Sequence, residues 1–255
     1  MKRVLNVVLS HLPAVVGQPW LDWRAAVCPG EECLLVYTGS EADFAALHHE
    51  PRLHLACRRL KTRQHQRERQ AYTEVWSAVA GWLRERDHSH VRFMEYDHLP
   101  LVPDLSARWL AYLEERDADI AGYAVTRVDG TNNPHALYHD VDRALGRYLE
   151  TISVRADRHI VLSMLGTGSL WTRDSFLAVA EMREPFPVYL ELWLPTVAHH
   201  LGYRVVDMPA EQKPWVRSRG EFSDRIDAAR QAGAWSIHPI KRPPRCPPAA
   251  ASMSR

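Results

Sequence analysis

The chain alternates between short apolar runs and longer stretches in which apolar residues recur every three or four positions. Val4 to Leu9 is the first run, and a block of that length without helical spacing predicts a buried strand. PWLDWRAAV then reads as a short amphipathic helical turn with Pro19 at its first position. Cys33 to Thr38 predicts a second strand, closed by Gly39 and Ser40, and Ser40 with Asp43 three residues on marks a capped start for the helix ADFAALHH. Leu53 to Ala56 predicts a third strand. From Gln64 to Glu85, Ala71, Val75, Ala78, Val79 and Trp82 form one stripe at helical spacing, with Arg, Glu and Gln opposite. A fourth strand carries VRFMEYDHLP. Asp104 stands where it can cap the helix LSARWLAYLEERDA, and Ile120 to Val128 alternates as a strand before the polar turn DGTNN.

Strand and helix alternating in this way predict an α/β fold around a mostly parallel, doubly wound sheet. Past the turn the order loosens into VDRALGRYLETI, the apolar run HIVLSML, Gly166 and Gly168, a helix around Asp174 to Glu181, and YLELWLPTVAHHLGYRVVDMP. We read residues 1–241 as a single domain, regular over about 1–128 and less regular over 129–241, where it completes one face of a cleft. The tail 242–255, with four prolines within six residues, is expected to be disordered.

Composition narrows the function classes. Lys plus Arg number 32 against 31 Asp plus Glu, so no net field favours nucleic acid or an anionic membrane, and any anion must be met by a local site. No apolar run approaches the roughly 20 residues that cross a bilayer. Cys28, Cys33, Cys57 and Cys246 form no C-x-x-C pair, and Lys2 and Arg3 run straight into the first strand without a secretory leader. Free thiols in a reducing cytoplasm are the expectation. The lack of G-x-G-x-x-G after an early strand argues against a dinucleotide oxidoreductase.

The candidate chemistry begins at 91-VRFMEYDHLPLVPD-104, where an apolar strand runs into Glu95, Tyr96 and Asp97. A core cannot hold two carboxylates unpaired, and ligand crevices in open α/β sheets lie beyond the carboxyl ends of strands. Residues i and i+2 of a strand share a face, so the two acids converge if the extended geometry persists, and only Asp97 reaches the ligand if the chain turns. Their repulsion is relieved by a hard divalent cation. Mg²⁺ or Mn²⁺ typically takes one or two protein carboxylates and fills its shell with water and phosphate oxygens. The other reading is that one acid caps a helix or pairs with Arg92.

An acid-x-Asp at the end of the fourth strand, a glycine-containing loop, an acidic helix start and a late histidine, in that order, resemble the glycosyltransferases of the GT-A fold, family-2-like in layout. The resemblance covers about residues 3–241 and implies a Rossmann-like three-layer sandwich with a mostly parallel central sheet and a smaller irregular acceptor-side part. It also implies that Glu95-Tyr96-Asp97 is the motif binding the divalent ion of a nucleotide-sugar diphosphate, with Asp97 the metal ligand. 166-GTGSLWTRDSF-176 resembles the loop near the donor sugar, placing Gly166 and Trp171 there, with Trp171 against a sugar face. 190-LELWLPTVAHHLGYRV-205 resembles the acidic helix start, although Leu190 stands where a second acid is common, and it makes Glu191 the general base of an inverting transfer. 235-WSIHPIK-241 resembles the late histidine that completes the metal shell, here His238, on Mn²⁺ or Mg²⁺.

By the same resemblance, Ser10, His11 and Leu12 after the first strand and Gly39 after the second contact a nucleobase such as that of UDP. Arg59 or Lys61 in RRLKTRQHQRER touches base or phosphate, unless that run is a solvated helix face. Asn132, His135 and Tyr138 in the long polar segment face an acceptor. His135, His139 and Asp140 match no standard zinc spacing. The implied partners are a nucleoside-diphosphate sugar and a hydroxyl acceptor, in a bacterial, cytoplasmic, metal-dependent hexosyltransferase. Two alternatives stand beside it. One is a nucleotidyltransferase, against which SHLPAVVGQPW offers only Gly17 after the first strand. The other is a silent nucleotide-sugar-binding protein, which the lone acid beside Leu190 favours.

Overall fold

A computed structural model describes residues 2–55, 65–133, 144–182, 186 and 188–243, with the backbone alone for 65–72. The elements are β1 (Val4–Ser10), α1 (Ala14–Val27), β2 (Cys33–Tyr37), α2 (Glu41–Ala46), β3 (Arg52–His54), α3 (His65–Arg84), β4 (His90–Glu95), β5 (Leu99–Pro100) and α4 (Leu105–Glu115). They continue with β6 (Ile120–Gly122), β7 (Thr126–Arg127), α5 (Ala144–Ile152), β8 (Leu162–Ser163), β9 (Ser169–Thr172), α6 (Arg173–Glu181), α7 (Leu190–His200), β10 (Val205–Asp207), α8 (Ile226–Gln231) and β11 (Ser236–Ile237). The main sheet has seven strands in the order β10-β6-β9-β4-β1-β2-β3. It is parallel except at β9, which runs against both neighbours, β4 and β6. The fold is therefore the mixed α/β architecture that the alternation predicts.

The period-2 pattern of the strands decides which helices cover which face. Leu5, Val7 and Leu9 of β1, with Val91 and Phe93 of β4, point toward α3, α6 and α7 and meet Val75, Trp76, Phe176 and Trp193. The opposite face meets α1, α4 and α8 through Trp20, Trp23, Leu105, Trp109 and Ala229. Both layers are apolar because the central strands are covered on both sides. A short antiparallel ribbon of β5 and β11, with Ile237 opposite Leu99, ties the late chain to the end of β4. A second ribbon joins β7 to β8.

Three local readings are corrected. The first helix starts at Ala14 behind Pro13, so Pro19 sits inside it rather than at its first turn; the uncharged AVVGQ gave no sequence signal for a start. The expected strand over 120–128 breaks after Gly122, because the backbone turns at Ala124 with φ 56°, and resumes as β7. Asp104 precedes α4 but makes no side-chain cap bond; it accepts from Arg108 Nε at 2.8 Å instead. The Ser40 cap holds, its hydroxyl accepting from the Asp43 N–H at 3.1 Å. The end of α7 is set by Gly202, with φ 101°, where the N–H groups of Gly202 and Tyr203 bond back to His199 and Ala198, the doubled bond of a glycine C-cap. The expected tail lies outside the described residues from 244 onward.

Trp171 is a fully buried core side chain on β9, its ring 4.8 Å from that of Trp76, edge to face, and its indole N–H on Ser169 Oγ at 2.8 Å. The expected stacking on a sugar is thereby corrected, since no face of the ring is open. Trp171→Ala is expected to cost about 3–5 kcal/mol of stability, read as a lower urea midpoint with an unchanged slope.

Candidate cation and nucleotide site

Parallel pairing of β1 and β4 sets Leu9 opposite Glu95, so the loop 10–12 and the turn after β4 lie side by side at one edge of the sheet. The chain does not stay extended beyond Glu95: the His98 N–H donates to the Glu95 carbonyl at 3.1 Å, closing a turn. Arg24, buried on α1, braces that turn through Nη2, which donates to the carbonyls of Glu95 (3.0 Å), Tyr96 (3.1 Å) and His98 (2.5 Å). The β5–β11 ribbon delivers His238 to the same place, and the Ile240 N–H bonds to the Asp97 carbonyl at 3.0 Å.

Glu95, Asp97 and His238 each offer a ligand atom, and these atoms lie within 4.8 Å of one another. His238 Nε2 is 3.4 Å from Asp97 Oδ1 and 3.9 Å from Glu95 Oε2, while its Nδ1 bonds to the Arg217 carbonyl at 2.8 Å. A carbonyl on Nδ1 holds a proton there and turns Nε2 toward the acids, so that Nε2 is the nitrogen a cation would take once it is unprotonated. Asp97 is 2% exposed, and its Oδ1 has no hydrogen-bond partner. An orphaned carboxylate oxygen facing an imidazole nitrogen and a second carboxylate suits a hard or borderline divalent cation. The residues present fit the implied metal.

Burial alone would push the Asp97 carboxyl up, but contact with His238 and with the Lys241 ammonium outweighs it and holds the group well below the usual carboxylate range. Lys241 Nζ is ion-paired with Asp97 Oδ2. The motif reading missed this lysine, and no local pattern reveals it, because its partner lies 144 positions away and meets it only through the ribbon register. Arg92, the alternative partner for the acids, is engaged elsewhere, donating to Glu31 Oε2 at 2.8 Å.

Glu191 opens α7 and accepts the Gly166 N–H at 3.1 Å. Burial raises its carboxyl above the ordinary value; the Gly166 bond lowers it, and the charge of Glu95 raises it further. The structure thus brings Glu191 and Gly166 together, with Glu191 in electrostatic reach of Glu95 and His238. His11 packs edge-on against Tyr96, with ring centres 5.6 Å apart, and the Ser10 carbonyl accepts the Thr38 N–H at 2.9 Å. Burial pushes the Tyr96 phenol up to about 12. Tyr37 donates to the Leu12 carbonyl at 2.8 Å, and its ring fills the space a Cβ at Gly39 would need. Ser10, His11, Leu12, Gly39 and Tyr96 therefore share the edge of the sheet that holds the cluster. Asn132 is exposed on the loop after β7. Arg59, Lys61, His135, Tyr138, His139 and Asp140 lie outside the described residues.

A cavity of about 310 Å³ lies elsewhere, lined by Asn6, Arg24, Cys28, Glu31 and Arg92 among others, and none of the predicted site residues borders it. Cys28 and Cys33 are free thiols, pushed by burial up to about 12 and about 11, and so unreactive. No helix among the described residues is long and apolar enough to cross a membrane.

No protein-family model and no curated protein sequence matches the chain. Among solved structures it is similar to the mannosyltransferase PcManGT from Pyrobaculum calidifontis in complex with GDP-Man and Mn²⁺, at 14% identity over 90% of this chain and 61% of that one, with a TM-score of 0.49. It is also similar to the WbbM bifunctional glycosyltransferase in its apo structure, at 13% identity over 93% of this chain and 45% of that one, with a TM-score of 0.47. The chain thus spans less than two thirds of the length of either.

Proposed function

We propose that this protein transfers a hexose from a nucleoside-diphosphate sugar to an acceptor hydroxyl, with Mn²⁺ or Mg²⁺ held by Asp97, His238 and Glu95. The observation that carries this reading is the convergence of those three side chains at the carboxyl end of β4, with one Asp97 oxygen lacking a partner. Residues 1–128 supply the nucleotide-facing loops, and 129–241 supply the acceptor side together with His238 and Lys241. A cation bound there would supply positive charge against the leaving diphosphate, worth several kcal/mol in a shielded cleft.

The chain's own groups do the rest. Asp97 stays ionised across the physiological range because His238 and Lys241 outweigh its burial. Lys241 is partly exposed and holds Asp97 with a single ion pair, so its ammonium, with three donors, has capacity for a phosphate oxygen as well. Glu191 is the base: the Gly166 N–H fixes its orientation, and burial makes it a better proton acceptor than an exposed glutamate. Its acceptance of the acceptor's proton as the C–O bond forms, opposite the departing diphosphate, gives inversion. Ser10, His11, Leu12 and Gly39 line the side on which the base would lie.

The test is a panel of nucleoside-diphosphate sugars with and without Mn²⁺, following release of the nucleoside diphosphate and the thermal midpoint. Metal-dependent stabilisation with turnover supports the reading. Stabilisation without turnover for any donor and acceptor favours the silent binding protein, and no stabilisation by UDP or GDP with Mn²⁺ defeats both. Lys241→Met is expected to strengthen Mn²⁺ binding to the protein alone and to weaken diphosphate binding in the presence of the metal. Each effect is about 1 kcal/mol, roughly fivefold, measured by titration calorimetry.

A further inference from the structure

Behind the cluster lies a second, dry layer of polar groups. His98 is 1% exposed and hydrogen-bonded at both ring nitrogens, Nδ1 to Thr167 Oγ1 at 3.2 Å and Nε2 to Ser236 Oγ at 2.8 Å. Thr167 Oγ1 also accepts the Glu95 N–H at 2.8 Å, and Ser236 Oγ is bonded to the Tyr123 hydroxyl at 3.2 Å. Thr167, Ser236 and Tyr123 are all buried.

The layer joins three segments through side chains, beside the backbone pairing of β5 with β11 and of β4 with β9. Glu95 and His98 begin and end the turn that carries Asp97. Ser236 lies two residues before His238 on β11. Thr167 sits between Gly166, whose N–H orients Glu191, and Gly168. The ring is also wedged sterically: Gly168 has φ 74°, and a Cβ there would lie 2.2 Å from His98 Cε1. The loop before β9 can close over the imidazole only because residue 168 lacks a side chain.

We infer that His98 is the positioning residue of the cation site, setting the distance between the Asp97 turn and His238 through its two hydroxyl partners. The inference rests on the proposed cation site and adds to it a residue that binds no metal and touches no substrate. Ligands on separate segments reach one ion only if their backbones keep register to a fraction of an ångström. Backbone pairing brings turn, ribbon and loop together, and one five-membered ring bonds side chains of the last two from the end of the first. Loss of such supporting hydrogen bonds typically costs metal affinity about 10- to 100-fold.

The experiment compares Mn²⁺ dissociation constants, from free-metal electron paramagnetic resonance, for the wild-type chain and for His98→Leu, His98→Gln and Thr167→Val. The metal-free melting midpoint is recorded for each. Leu keeps bulk and removes both bonds; Gln keeps a donor that can reach Ser236; Thr167→Val removes a hydroxyl while leaving the ring in place. Expected is a loss of about 10- to 100-fold in Mn²⁺ affinity for Leu and Val, partial recovery in Gln, and no correlation with the melting midpoint.

Folded variants that bind Mn²⁺ as tightly as wild type overturn the inference while leaving the cation site intact, and so does an affinity loss that merely tracks the melting midpoint. A wild-type chain that binds no Mn²⁺ removes the cation site itself, and this role for His98 with it.

Discussion

Asp97→Asn is expected to abolish Mn²⁺-dependent binding of nucleoside diphosphates and to lower turnover about a hundredfold to a thousandfold while leaving the fold intact. The amide keeps the size of the carboxylate but removes the charge that gathers the site together. Several kcal/mol of charge stabilisation then disappear, and each 1.4 kcal/mol is a factor of about ten. The fold survives because the partners left behind are not stranded. Lys241 is partly exposed and regains water, and His238 keeps its bond to the Arg217 carbonyl. A variant that lost structure as well as binding would show Asp97 to be a structural ion pair. Thermal shift with Mn²⁺ and UDP or GDP, beside circular dichroism of the free protein, separates the two outcomes.

Glu191→Gln is the second large effect and has the opposite signature. The amide still accepts the Gly166 N–H, so α7 and the loop should keep their places, and binding of metal and nucleoside diphosphate should be unchanged. Transfer should fall about a hundredfold to ten-thousandfold, the range for loss of a positioned base. The pH dependence has a definite sign. Burial raises the Glu191 carboxyl above the ordinary glutamate value, and only the ionised form can accept a proton. Transfer should therefore rise with pH through an acid limb displaced upward from that of an ordinary glutamate, and that limb should vanish in the glutamine variant. Stability moves the other way. The folded state holds this proton more tightly than the unfolded one, so the carboxyl costs stability as pH rises from the unfolded value through the folded one. Glu191→Gln should therefore equal or exceed the wild type in urea midpoint at pH 7. A variant of full activity with the acid limb retained would remove Glu191 from the mechanism.

The residues that sequence pattern located well were those whose signal is local. The Ser40 cap and the apolar block of β1 depend on neighbours within a few positions and appear where the pattern places them, while the buried face of α3 takes Val75 and Val79 from the expected stripe and adds Trp76, Ala80 and Leu83. Pairing at long range was not legible. Trp171 sits in a glycine-rich context that reads as a loop, yet antiparallel insertion of β9 between β4 and β6 turns its ring inward among Trp76 and Phe176. The sequence left open whether the chain beyond Glu95 stays extended, with both acids on one face, or turns and presents Asp97 alone. The chain turns, and Arg24, from a helix some 70 positions earlier, gathers the carbonyls of that turn, with Glu95 and Asp97 still within reach of each other.

By itself the sequence determined most of the strands and helices of the regular half, that a pair of acids ends the fourth strand, and that a histidine lies far along the chain. Tertiary structure alone decided that His238, Lys241 and Asp97 meet, that Arg92 belongs to Glu31, and that His98 ties three segments behind the cluster. The reason is physical. Secondary structure follows from spacing along the chain, which is written in residue order. A cation site follows from the register of strands and ribbons, which is fixed only once both faces of the sheet are packed.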